Sequence, residues 1–194
     1  MKTFRPLFIA VTAALALSTA RATTVIPPTF DQLVQDAELI FQGTVTDVKS
    51  QYVGEGGQRH ITTYVTVKVE DAVKGDPGAS YTLRMLGGTV GDETMEVSDA
   101  PKFKVGDRDI LFVEHNGTQF IPLVGIMHGR FRVNHDSQTG ADMVGTNNGS
   151  AVTNVDTLGR VDENGTSKAR TNAVERPLDA DSFKAAIRSK LGAQ

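Results

Sequence analysis

Between Ile61 and Val69 the chain alternates: Ile61, Val65, Val67 and Val69 are apolar, whereas Thr62, Thr66 and Lys68 are polar. A side-chain period of two belongs to an extended strand with one buried face, because successive Cβ atoms point to opposite sides of the pleat. Similar runs recur at Leu39 to Val48, Tyr81 to Leu86, Ile110 to Glu114, Phe120 to Ile126 and Gly129 to Val133, with weaker ones at 142–145 and 151–155. Turn-forming stretches part them: Val53-Gly54-Glu55-Gly56-Gly57, Lys74-Gly75-Asp76-Pro77-Gly78 and Gly87-Gly88. Short strands with frequent turns and no long helices between them predict a mainly β fold, a sandwich or barrel. Gly43, inside the first strand, marks a bulge or a close backbone approach. Residues 89–108, with Pro101 and a Val105-Gly106-Asp107 turn, read as a long loop.

Helical spacing occurs only near the two ends. Pro27 and Pro28 keep their segment extended. Thr29 then stands where an N-cap belongs, with Gln32 three residues on as in a capping box. Phe30, Leu33, Val34 and Ala37 follow at helical spacing, which predicts a short amphipathic helix over residues 30–37. At the far end, Asp179 or Asp181 can cap a helix whose apolar stripe is Phe183, Ile187 and Leu191. That helix is expected to dock back on the strands. Residues 156–176 are polar and charged, and read as a flexible linker. The expected organisation is thus 1–22 a signal peptide, 23–155 the β domain, 156–176 the linker and 177–194 the C-terminal helix.

The signal-peptide reading rests on Lys2 and Arg5, the apolar run Leu7 to Leu17 and the cleavage site Ala20-Arg21-Ala22. The apolar run is too short for a membrane span. Cleavage after Ala22 removes Lys2, Arg5 and Arg21 and no acidic residue, so the mature chain is more acidic than the net −3 of the whole. That balance disfavours nucleic acid and anionic membranes as partners. Having no Cys, the chain cannot form disulfides, thiolate metal sites or a thiol nucleophile. An exported domain of this kind relies on its core alone, and the periplasm or outside medium of a bacterium is its expected location. The sequons at Asn116, Asn148 and Asn164 read as Asn-Gly turns.

No catalytic constellation stands out. His60, His115, His128 and His135 form no zinc-type pair. There is no nucleophile elbow or phosphate loop, and Gly87-Gly88-Thr89-Val90-Gly91 is not followed by an amphipathic helix. Asp92, Glu93, Glu96 and Asp99 lie in a loop without the order of a calcium site, and they read as a solvated surface. The expectation is therefore a binding module that is not an enzyme, with no metal and no cofactor.

Two resemblances sharpen this expectation. The arrangement Asp36-Ala37-Glu38-Leu39-Ile40, Gly43-Thr44-Val45, Thr63-Tyr64-Val65-Thr66-Val67, Lys74-Gly75, Gly87-Gly88 and Phe103-x-Val-Gly106-Asp107 resembles a group of uncharacterised exported bacterial proteins carrying a small OB-type β-barrel. The same stretch is distantly similar to the inhibitory domain of the tissue inhibitors of metalloproteinases. The likeness falls on Thr24, Pro27 with Pro28, the 30–37 helix, Glu38-Leu39-Ile40, Tyr64 to Val69 and Lys74-Gly75. The resemblance implies a partner-binding edge of Thr23, Thr24, Val25 and Pro27. In it, the Thr23 amine and carbonyl would chelate the zinc of an exported metalloprotease, and Thr24 would enter its specificity pocket. The family fixes its N-terminus with disulfides, which this chain lacks. The rival expectation is an envelope binding or assembly protein using the barrel face or the C-terminal helix, without inhibitory activity.

Overall fold

The structure, a computed structural model, describes residues 26–160 and 176–193. The proposed signal peptide, Thr23, Thr24 and Val25 lie outside the described residues, as do 161–175 of the expected linker. The described chain is mainly β: α1 (Phe30–Asp36), β1 (Leu39–Val53), β2 (His60–Lys74), β3 (Ser80–Leu86), β4 (Gly88–Val90), β5 (Glu93–Met95), β6 (Arg108–Val113), β7 (Arg130–His135), β8 (Asp142–Thr146) and α2 (Ala180–Gly192). Six strands form one sheet in the order β3-β2-β1-β6-β7-β8, and β4 pairs with β5 alone. Every pairing is antiparallel.

The long strands β1 and β2 are bent by register shifts at Ile40/Phe41, Gln42/Gly43 and Val45/Asp47, because an extra residue on one side kinks and twists a ladder. Gly43 is required there. A Cβ on it would lie 2.5 Å from the Lys68 carbonyl oxygen and 2.6 Å from Val67 Cγ1.

Alternation along the strands builds two cores. On one face Ile40, Ile110, Phe112, Phe131 and Val144 meet Phe30, Leu33 and Val34 of α1 and Phe183 and Ile187 of α2. On the other, Phe41, Val65, Val67, Leu83, Leu111 and Val113 enclose a second core with Phe103 and Leu123 from loops. The capping box forms as the spacing predicts. Thr29 Oγ1 accepts from the Gln32 amide, and Gln32 Oε1 accepts from the Thr29 amide. Asp179 caps α2, which docks on the sheet with Phe183 and Ile187 fully buried.

Three segments differ from expectation. The long loop at 89–108 begins with a hairpin, whose reversal at Gly91-Asp92 uses the left-handed φ of 59° at Gly91. Phe120 to Ile126 is not a strand. Pro122 lacks an amide donor, Gly125 and Ile126 turn with φ of 61° and 63°, and only a single bridge links Leu123 to Val113. Residues 151–155 supply one bridge and then enter a 3-10 turn, Val155–Thr157. Leu158, in the expected linker, packs against the helix-side core.

No strand ladder joins β3 to β8, so the sheet is open where the sequence suggests a closed barrel. Its edges are nevertheless covered. Beside β8, the Val144 amide donates to the Leu178 carbonyl and the Thr146 amide to that of Ser150. Beside β3, Asn116 imitates a strand: its Oδ1 accepts from the Arg84 amide at 2.9 Å and its Nδ2 donates to the Thr82 carbonyl at 2.8 Å. Further along, the Leu86 amide donates to Phe120 O at 2.7 Å. Such covering prevents edge-to-edge association. Asn116→Ala strands one donor and one acceptor, and should lower stability by about 1–3 kcal/mol in urea titration. Exchange of the Arg84 amide should accelerate with it.

Candidate binding surface

The face of the sheet opposite the helices carries a half-open groove of about 570 Å³. Its floor is apolar, formed by Val48, Val65, Met85 and Phe103. The β4–β5 hairpin folds over one side and residues 96–102 line the other. The hairpin is tied directly to the strands below it. Thr63 Oγ1 donates to the Gly87 carbonyl at 2.6 Å and lies 2.8 Å from Ser50 Oγ. Gly88 sits so close to these hydroxyls that a Cβ would fall 2.2 Å from Thr63 Oγ1. Any side chain there would lift the hairpin and widen the groove. Tyr52 donates to Val90 O, Arg59 covers the Tyr52 ring at 3.8 Å, and Arg59 also faces Glu93 at 3.6 Å.

Below the floor lies a buried ion pair. Arg130, on β7, is 2% exposed and makes a two-pronged contact with Asp109 of β6, both distances 3.0 Å. It also donates to Asp107 at 2.7 Å and to the Lys102 carbonyl at 2.9 Å. Its guanidinium lies 4.1 Å from the centre of the Phe103 ring. One side chain therefore fixes both the loop and the aromatic floor. Burial raises the Asp109 pKa above the usual carboxylate value, against the opposing pull of Arg130.

The N-terminal edge passes a neighbouring loop. Ile26 is 79% exposed and Pro27 is half-buried. Pro28 presses on Gly125 and Gly159, where a Cβ would approach its ring to 3.0 Å and its carbonyl oxygen to 2.6 Å. Of the proposed edge residues, only Pro27 is among those described. Next to Gly125, Ile126 holds φ of 63°, and Asp99 on the groove rim holds φ of 60°. Left-handed backbone is costly for a residue with a Cβ, and most of all for a β-branched one. His128 packs beside Gly125 and feels the charge of Asp99. Burial lowers its pKa, while the charge of Asp99 pulls it upward.

The remaining chemistry-bearing residues scatter. His60 contacts the Gln58 carbonyl, His115 faces Glu38 and Glu114, and His135 contacts Asp142. Glu93 and Glu96 pair with Arg59 and Lys102. Among the described residues no three His, Asp or Glu side chains gather as metal ligands. No helix among them is long and apolar enough to cross a membrane. Sequence reasoning missed Ser50, Thr63, Met85 and Phe103 as groove residues; the pair Gly87-Gly88 was their only signal. The chain matches no family model, no curated protein and no solved structure in the three comparisons made.

Proposed function

We propose that this chain is an exported, non-enzymatic binding module that grips a partner protein along the groove and the adjoining N-terminal edge. The observation carrying this reading is the strained backbone at the junction of the two. Asp99 and Ile126 hold two of the three left-handed non-glycine φ values among the described residues, the third being His115; such conformations, worth of order 1–3 kcal/mol each, persist only where the surroundings over-determine them, and they cluster at binding and catalytic sites. The groove adds apolar area with a polar rim, as recognition sites do. The OB-type barrel is part of the proposal. It is supported by the bent β1 and β2 and by residues 116–120, which seal the β3 edge around the second core.

The sharper version is a metalloprotease inhibitor acting through Thr23 and Thr24. It is favoured by the seating of Pro28 on Gly125 and Gly159, which anchors the chain close to that edge without a disulfide and reduces the ordering cost of binding. A free α-amine with a pKa of about 7.7–8.0 is competent to ligate an open zinc position. The rival reading, an envelope assembly protein without inhibitory activity, keeps the sheet face but not the Phe183/Ile187/Leu191 stripe, whose first two residues are buried in the chain's own core.

The test is titration of protein beginning at Thr23 against a panel of secreted zinc metalloproteases. Stoichiometric inhibition is expected, abolished by one extra residue before Thr23 and weakened at least about tenfold by Thr94→Arg on the groove rim. Inhibition indifferent to the extension would overturn the N-terminal mechanism. No inhibition across the panel would leave the envelope-partner reading in its place.

A further inference from the structure

β1 outlasts one of its two neighbours. β6 accompanies it over residues 39–44, and the turn before β6 adds Val45, whose amide donates to Asp107 O at 2.8 Å and whose carbonyl accepts from the Gly106 amide at 2.8 Å. Over residues 46–53 the strand has β2 on one flank and no strand on the other.

The ladders fix which backbone groups line that open flank. Thr82, Arg84 and Leu86 of β3 turn theirs away from β2, to Asn116 and Phe120. Backbone groups alternate in direction along an antiparallel strand. Tyr81, Leu83 and Met85 therefore bond to β2, at Val67, Val65 and Thr63. The alternate β2 residues, Thr62, Tyr64 and Thr66, bond to β1 at Gln51, Lys49 and Asp47. Val48, Ser50 and Tyr52 are left with N–H and C=O directed outward, and among the described residues no backbone hydrogen bond satisfies them.

The sheet's other margins are blocked. Asn116 and Phe120 seal β3, and Leu178 and Ser150 seal β8. A bare edge invites strand pairing and is ordinarily protected. This one is bare beside the groove. Val48 and Ser50 are half-buried in its wall, and Tyr52, further along, is 36% exposed.

The flank's chemistry selects its occupant. Donors and acceptors repeating at strand spacing over about 13 Å are matched by another extended backbone. Side chains of an added strand alternate between the two faces. Those on the groove side meet Val48, Met85 and Phe103, and those on the other side meet exposed Asp47, Lys49 and Gln51. A second copy of this chain fits poorly. Antiparallel pairing about Ser50 would set Tyr52 of one chain, which holds the β4–β5 hairpin through Val90, opposite Val48 of the other, where the groove opens. A lone segment brings no such obstruction.

We propose that the partner is held by strand addition: an extended segment of another protein, apolar at alternate positions, pairs with residues 48–52 of β1 and lays its apolar side chains into the groove. This rests on the reading of the groove as the gripping surface and names what it grips.

The test is NMR and amide hydrogen exchange on the nitrogen-labelled full chain, with the peptide acetyl-KVTVTVK-amide and a twin N-methylated at its valines. In the free chain the Val48, Ser50 and Tyr52 amides should exchange faster than those of Lys49 and Gln51. The unmodified peptide should bind saturably at or below about 1 mM. It should slow exchange of the first three at least about fivefold and leave Lys49 and Gln51 unchanged. N-methylation, which keeps the side chains and removes the donors, should weaken binding at least about tenfold. Val48→Pro, which removes one outward donor and no bond to β2, should weaken it similarly; the methylated peptide makes the same comparison if that variant does not fold. Equal binding of the two peptides would overturn strand addition while leaving the groove as a site for apolar side chains. Absence of saturable binding by either would also overturn it, and the inhibition titration with Thr94→Arg tests the groove reading separately. Protection of the three amides that rises with protein concentration, without peptide, would put a second copy in the partner's place.

Discussion

Arg130→Met should destabilise the fold by about 3–5 kcal/mol at neutral pH, because it leaves a buried carboxylate without its counter-charge. Asp109 is 1% exposed, and Arg130 meets both of its oxygens. The same substitution frees the Lys102 carbonyl and removes the cation beneath Phe103, so the groove floor loosens as well. The pH dependence identifies the cause. Asp109 has a raised pKa in the folded chain, chiefly through burial, and losing Arg130 raises it further. A carboxyl of this kind contributes full stability below its unfolded pKa of about 3.9, where it is neutral in both states. That contribution is lost as pH rises through the higher folded value. The deficit of Arg130→Met relative to the wild type should therefore shrink as pH falls from 7 towards 4. The double variant Arg130→Met/Asp109→Leu should recover most of the loss at pH 7. Urea titrations at both pH values check this. A deficit that is constant with pH and persists in the double variant would assign the effect to lost packing instead.

This pair also illustrates why the sequence tells only part of the story. Asp109 and Arg130 look like surface residues at the margins of apolar strands, and nothing local announces that they face each other inside. Their register, Asp109 against Arg132 and Leu111 against Arg130, is a tertiary property. Features with local causes were legible. The alternation at Ile61 to Val69, the Thr29/Gln32 capping box, the backbone approach at Gly43 and the stripe on α2 all follow from side-chain period or cap chemistry. The β4–β5 hairpin was not legible, since its two strands are three residues each, β5 exposed and β4 no more than half-buried. Phe120 to Ile126 has strand composition, but Pro122 and the left-handed pair Gly125-Ile126 override it. The groove was hidden for a different reason: it is assembled from β1, β2, β3 and the segment after β5, and no short window contains it.

Phe183→Ala should cost about 3–5 kcal/mol, the second large effect expected from a single substitution. The ring is fully buried and lies 4.8 Å from that of Phe131, 5.8 Å from Phe30 and 6.3 Å from Phe112, centre to centre. It is where α1, α2 and the sheet meet, so little can collapse to fill the space it leaves. Lys184 and Arg188, which bind Asp71 of β2, hold the outer side of the same helix. By this argument α2 is part of the domain and not an appendage. Deleting residues 177–194 removes the aromatic centre of one core and also Leu178, which pairs with β8. The truncated chain should lose cooperative unfolding, whereas Leu191→Ala, at a partly exposed position, should cost well under half as much as Phe183→Ala. Calorimetry of the three variants separates the possibilities. A truncated chain that still melts cooperatively near the wild-type temperature would mean that α2 is dispensable to the fold. Its stripe would then be free to serve a partner, and the envelope-assembly reading would regain the helix as its contact.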